Sequence, residues 1–142
     1  MIEIINNKFR NLDTNLIKTW VKEIISSHNK LEGKVFINFI NKKKMSELNL
    51  KFLNHDSYTD IITFDNCKKN EISGEIFISY YMLKKNAVKY NQTADNEAIR
   101  LISHGVAHLL GHNDKTKKEK KKMTQIENKF INMFHVKQIQ NV

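Results

Sequence analysis

This chain of 142 residues has no proline, one tryptophan, one cysteine and four glycines. The lone Cys67 excludes an internal disulfide and a cysteine-based zinc site, and it reads as a strand-end thiol rather than a nucleophile. No apolar run approaches the roughly 18 residues that a membrane-crossing helix needs, and no charged-then-apolar leader opens the chain. A soluble, cytoplasmic protein is the expectation. Acidic residues are scarce, 15 against 24 Lys and Arg, which leaves a formal net charge of +9. That balance favours polyanionic partners through counterion release and steering, but it does not separate RNA, DNA and anionic membrane. The missing proline, beside abundant Asn, Lys and Ile, reflects A+T-rich coding composition more than a structural demand. The length is near the modal domain size and buries a real core. With no repeat and no linker, residues 1–142 read as one domain.

What is present is concentrated in His104-Gly105-Val106-Ala107-His108-Leu109-Leu110-Gly111-His112-Asn113-Asp114. Two histidines four apart on a helix differ by about 40° in direction and about one turn in height. Their imidazoles share a face and can share one metal ion at about 2.0–2.1 Å. Gly111 falls where such a helix ends, and glycine takes the left-handed conformation there without steric cost. The chain can then turn back and deliver Asp114 as a third ligand. Two imidazoles and one carboxylate leave a fourth position for water, the design of a catalytic site. His112, four after His108, competes with Asp114 for the third place. It lies inside the turn, and a flanking role suits it better.

Helical zinc proteases carry H-E-x-x-H, with the Glu as general base. Gly105 stands where that Glu belongs. The ligand spacing fits a hydrolase, but the proteolytic base is missing.

The rest of the chain alternates strands and helices. Strands are expected at Ile2–Ile5, Lys34–Ile40, Ile61–Phe64 and Glu75–Ser79, with a polar loop over Asp65–Gly74. Helices are expected from Asp13 or Thr14 to about Ser27, over Met45–Leu53 and over Tyr80–Tyr90. Another opens at an N-cap Thr93, with Asp95 and Glu97 in its first turn, and carries both histidines near its end. Met123, Ile126, Phe130 and Phe134 form the stripe of a final helix. The class is α+β: a small mixed sheet of about four strands with helices packed against it.

On these residues the chain resembles the YbeY family of bacterial metal-dependent endoribonucleases. The family motif H-G-x-L-H-L-x-G-Y-D-H places its ligands at the first, fifth and eleventh positions, here His104, His108 and Asp114. The resemblance extends to Leu48-Asn49, to the run from Asp56 to Phe64 and to Gly74-Glu75-Ile76-Phe77-Ile78-Ser79, in the family's order. It implies the same α+β layout with the metal in an open cleft, and one zinc ion per chain without an organic cofactor. It also implies an endoribonuclease of single-strand type, acting in ribosomal RNA maturation at the 3′ end of the small-subunit RNA and in ribosome quality control. Ribosomal RNA and the small subunit are the implied partners, and no membrane. Four departures from the pattern bear on the chemistry or the packing. Asp114 replaces a histidine, which adds negative charge and makes a bound water less acidic. Ala107 replaces Leu, and His112 replaces Tyr. Many members carry a phosphate-directed Arg where this chain has Leu53; Lys51, Lys68 and Lys69 are candidates to replace it.

The densest basic block, Lys115 to Lys122, directly follows the ligands. Its Lys115, Lys117 and Lys118 read either as a solvated first helical turn or as a rim that guides phosphates. His55 sits at a polar spot before the strand and is a candidate RNA contact, whereas His28 and His135 read as surface or loop residues. Thr59 and Asp60 either orient the site or cap a turn. Two rival functions share the sequence: a peptidase-like hydrolase, and a non-catalytic ribosome-associated RNA-binding factor with a structural metal.

Overall fold

The computed structural model describes residues 1–53 and 59–140. Four strands, β1 (Ile2–Ile5), β2 (Leu31–Ile40), β3 (Ile61–Asp65) and β4 (Glu71–Ser79), form one sheet in the order β1-β2-β4-β3. β1–β2 and β2–β4 pair in parallel and β3–β4 antiparallel. The helices are α1 (Thr14–Ser27), α2 (Lys42–Leu48), α3 (Tyr80–Lys89), α4 (Ala94–Leu109) and α5 (Lys117–Gln140). This is the mixed α+β arrangement that the sequence leads one to expect.

The period of two along the strands sorts the sheet's faces. Val35, Ile37 and Phe39 of β2 and Ile72, Ile76 and Ile78 of β4 point into the main core, where α1, α4 and α5 supply the apolar residues opposite. Trp20 of α1 is fully buried there, with its indole N–H donating to the Phe130 carbonyl at 2.9 Å. The other face carries α2 over a small cluster of Ile40, Met45 and Ile62. Each helix start has a local cause. Asp13, Asn41, Ser79 and Thr93 are extended N-caps whose side chains accept a backbone N–H. At α5, Thr116 and Glu119 cap each other: the Thr116 N–H donates to Glu119 Oε1 at 2.9 Å and the Glu119 N–H to Thr116 Oγ1 at 3.1 Å.

Three sequence expectations need correction. The expected loop over Asp65–Gly74 is a hairpin, because β4 starts at Glu71 and β2 at Leu31, and Leu31 pairs with Glu71 and Glu32 with Ile72. Those extensions carry polar or isolated apolar residues, so no alternation marks them. The helix expected over Met45–Leu53 starts at Lys42 and changes at Asn49 into a π-helical turn, Asn49–Leu53. Its cap, Asn41, precedes three lysines that show no periodicity. In α5 the buried stripe is Met123, Glu127, Phe130 and Phe134, while Ile126 is only partly buried.

The C-terminal end of α4 rests on the β3–β4 hairpin with almost no clearance. A Cβ at Gly74 would lie 2.4 Å from the Phe64 carbonyl oxygen and 2.7 Å from Leu109 Cδ2. The carbonyl belongs to the strand ladder and cannot retreat. Gly74→Ala should therefore cost about 1–3 kcal/mol of stability, read from urea unfolding. A loss under about 0.5 kcal/mol, the range of ordinary surface changes, would show that the hairpin yields.

Candidate metal centre

α4 delivers both histidines by its own geometry. His104 and His108 lie four residues apart on one side of the helix, with ring centroids 4.6 Å apart. Gly105, about 100° round the helix from His104, faces the sheet: a Cβ there would lie 2.9 Å from two Ile76 side-chain atoms and 3.2 Å from Ile61 Cδ1. The helix stops at Leu110, and Gly111 takes φ +95°. The chain then doubles back and sets Asp114 beside the histidines.

The three donor atoms converge. His104 Nε2 lies 3.0 Å from His108 Nε2, and Asp114 Oδ2 lies 3.2 Å and 3.5 Å from the two nitrogens. Bonds of about 2.0–2.1 Å in tetrahedral geometry require donor separations of about 3.3–3.4 Å. The cluster matches that edge to within a few tenths of an ångström, so two imidazoles and a carboxylate fit one divalent ion. Their side chains are 18%, 28% and 36% exposed, which leaves one side open to solvent. His112 is outside this cluster. Its ring packs against His28 at 6.0 Å, and burial, aided by His28, Lys122 and His108, holds its pKa below the usual value. His28 itself receives the end of α1, with Nδ1 2.9 Å from the Ile24 carbonyl oxygen. His135 is exposed on α5.

Of the residues that hold the cluster in place, only Asp60 was a candidate from the sequence; the others were not legible as site residues. Glu127 of α5 is buried and lies 2.6 Å from His104 Nδ1. A proton shared there sits on Nδ1 and frees Nε2 to face the cluster, the arrangement found behind histidine ligands. Arg100 lies 3.5 Å from Glu127 Oε1 and makes two bonds to Glu97, at 2.8 Å and 2.5 Å. Those Glu97 bonds, against the pull of burial, hold the guanidinium even more firmly protonated than usual. Asn86 then bridges Glu97 at 3.3 Å to Asp60 at 2.9 Å. Asp60 thus belongs to the support behind His104, and its backbone carbonyl also accepts the Ser79 N–H. The overlooked signal was a carboxylate inside the apolar stripe of α5.

The other candidates scatter. Lys115, Lys117 and Lys118 are exposed directly after Asp114. Lys51 sits in the π-helical turn with its ammonium 5.2 Å from the Phe52 ring, and Leu53 is partly exposed. Lys68 and Lys69 occupy the β3–β4 hairpin. Cys67 anchors that hairpin to α4, with Sγ 3.4 Å from the Leu109 carbonyl oxygen, and burial raises its pKa. His55 lies outside the described residues.

A mixed sheet crossed by a helix that ends in two histidines and a returning carboxylate defines a class, small α+β hydrolases with one metal-type centre. The particular family follows from comparison. The family model described as Endoribonuclease YbeY matches residues 2–135. The endoribonuclease YbeY of Azobacteroides pseudotrichonymphae is 40% identical over 127 residues, covering 89% of this chain and 91% of that one. That of Phocaeicola vulgatus is 43% identical over 112 residues, covering 79% and 81%. The solution structure of TM1509 from Thermotoga maritima superposes with a TM-score of 0.69 at 28% identity, covering 99% of this chain and 93% of that one. The chain belongs to the endoribonuclease YbeY family, a family of RNA-cleaving hydrolases.

Two outcomes follow from the geometry. Gly105→Glu, which restores the protease-like sequence, would push a carboxylate against Ile76 and Ile61; it should cost about 3–5 kcal/mol as an unpaired buried charge and yield no peptidase. Stable, folded Gly105→Glu protein would refute this packing. The second concerns metal-free protein. Burial opposes a charge on His104, yet Glu127, Asp114 and Asp60 outweigh it and raise its pKa above the ordinary 6.5. This stabilisation is complete below the unfolded value and fades as pH rises through the folded one. In Glu127→Gln protein, the His104 pKa followed by NMR should fall; an unchanged titration would remove Glu127 from this role.

Proposed function

We propose that this protein is a single-domain endoribonuclease, residues 1–142, that uses one zinc ion held by His104, His108 and Asp114. The observation that carries this reading is the donor spacing of 3.0–3.5 Å, backed by the Glu127 hydrogen bond. Two imidazole nitrogens and a carboxylate oxygen form a borderline-soft set suited to zinc. When bound, the ion supplies Lewis acidity at a phosphate oxygen of RNA.

The chain's own residues perform the rest. Glu127 fixes the ring and tautomer of His104, and Arg100 neutralises Glu127 without facing substrate, because Glu97 and Glu127 already occupy it. Lys115, Lys117 and Lys118 form a rim that draws in phosphates and opposes the charge that develops on phosphorus. His55 is a further RNA contact in this reading. Leu53 stands where many relatives have Arg, so the cationic work passes to this lysine rim. The substrate is ribosomal RNA, single-stranded near the 3′ end of the small-subunit RNA, in maturation and ribosome quality control. The small subunit is the partner and the cytoplasm the compartment. No organic cofactor is needed. Among the described residues, no helix is long and apolar enough to cross a membrane.

The test is RNA cleavage and metal content of wild-type and His108→Ala protein side by side. About one zinc per chain, with metal and cleavage falling together by more than the roughly 10–100-fold that loss of a mere supporting partner costs, is the expected result. Stoichiometric metal in Asp114→Ala protein would sink the ligand set in favour of His112. Metal without cleavage of structured ribosomal RNA, in either protein, would favour the RNA-binding factor.

A further inference from the structure

A groove of about 770 Å³ opens at the carboxyl ends of β1 and β2. It lies at the far end of α4 from the histidines: Ala94, which begins that helix, borders it. His104 follows about ten residues later, roughly 15 Å along the axis. The carboxyl ends of parallel strands are a general location for ligands in open sheets, and the volume lies in the range of ligand sites.

The lining is chemically one-sided. Lys8, Lys44 and Lys84 border the groove, and among the described residues no Asp or Glu does. Among the described residues, none of their ammonium groups lies within ion-pair distance of a carboxylate. The floor is aromatic. Tyr80 stacks on Phe39 at 5.3 Å, and Phe9 meets both rings at 5.4–5.6 Å. Lys8 and Lys84 approach the Tyr80 ring at 5.6 Å and 6.0 Å. The Tyr80 hydroxyl fixes the strip from Asn6 to Lys8: it accepts the Lys8 N–H at 2.6 Å and donates to the Asn6 carbonyl.

A further observation points to a ligand that carries both rings and phosphates. Outside the groove the pattern of cation and ring continues, with Lys42 and Lys85 at 4.3 Å and 5.3 Å from the half-exposed Tyr81 ring. Lysines interleaved with aromatic faces are how proteins bind single strands with little sequence preference.

We propose that this groove is a second contact for single-stranded RNA, distinct from the metal cluster. It holds phosphates on Lys8, Lys44 and Lys84 and a base against Phe9 and Tyr80. The proposal rests on the ribonuclease reading in one respect, that RNA is the natural ligand. Its role is to hold a segment of the strand away from the cleavage point.

The test uses full-length, zinc-loaded protein and a fluorescent 2′-O-methyl RNA of roughly twelve nucleotides, a typical single-strand site size, which resists cleavage. Wild type is compared with Lys44→Ala/Lys84→Ala and with Lys22→Ala/Lys129→Ala, which removes the same charge from exposed positions elsewhere. The groove variant should bind about tenfold more weakly, and its log-affinity against log-salt slope should shrink by about 1.4, two contacts at about 0.7 each. The control variant should move neither by as much as half of that. Equal losses in both variants would reduce the effect to bulk charge and overturn the proposal, as would undiminished binding by the groove variant. Undiminished RNA binding together with displacement of a labelled mononucleotide from the wild type alone would assign the groove to a free nucleotide and likewise overturn it. Failure of wild type to bind any RNA would instead strike the ribonuclease reading itself, so the two failures are distinguishable.

Discussion

The structure turns on one short contact, 2.6 Å between His104 Nδ1 and Glu127. It ties α4 to α5 and fixes the ring at the head of the donor cluster. It also sets off a chain of obligations. A buried carboxylate must be paired or it forfeits several kcal/mol, and Arg100 supplies the pair. A half-buried guanidinium beside one carboxylate still has donors to place, and Glu97 takes two of them. Glu97 is 2% exposed and calls in turn on Asn86, which reaches Asp60. Replacing such a network by apolar residues is often neutral for stability. Its retention here is explained by geometry: it holds one imidazole in one orientation.

The sheet-facing side of α4 is ruled by the reverse requirement. Polar groups there would face Ile61 and Ile76, so small and apolar residues occupy it: Ala98, Ile102 and Gly105. Absence of a carboxylate after His104 is therefore a packing constraint as well as a chemical one. Residue 105 points toward the sheet, where a side chain meets Ile76 and Ile61. The same close approach continues to Leu109, which rests over Gly74, and to Cys67, whose sulfur lies by the last carbonyl of the helix. Two glycines on different elements thus set how near the helix lies to the sheet.

What could be read from the sequence was local. His104, His108 and Gly111 declare themselves within one helix end, because helical periodicity and the left-handed conformation of glycine are short-range rules. The strands were legible wherever one face was apolar throughout, as in Ile76 and Ile78. They were not legible at Leu31–Glu32 or Glu71, where backbone pairing alone extends the sheet. Glu127 was hidden for another reason. It lies 23 residues from His104, and a glutamate on a lysine-rich helix reads as solvated. Only its place in the buried series Met123, Glu127, Phe130 and Phe134 sets it apart. Ile126 fits the stripe by hydrophobicity yet is only partly buried. The support network joins α3, α4, α5 and the segment before β3, and no spacing rule reports such contacts.

The lysines after Asp114 pose a question that folding does not answer. A helix N-terminus carries partial positive charge, and each cation in the first turn costs about 0.3–1 kcal/mol when weakly screened. α5 nevertheless opens on Lys117 and Lys118, and Lys120, Lys121 and Lys122 follow. The end is already capped by Thr116 and Glu119, so the lysines add nothing to capping. Glu119 absorbs part of the misfit: the Thr116 N–H, ahead of the other donors around it, holds its carboxyl below the usual range and keeps it ionised. No lysine of this block pairs with a carboxylate within ion-pair distance among the described residues. A fold that accepts this repulsion without internal return directs the charge outward, beside the open side of the donor cluster. Lys115, Lys117 and Lys118 stand exposed directly after Asp114, as the proposed phosphate rim requires.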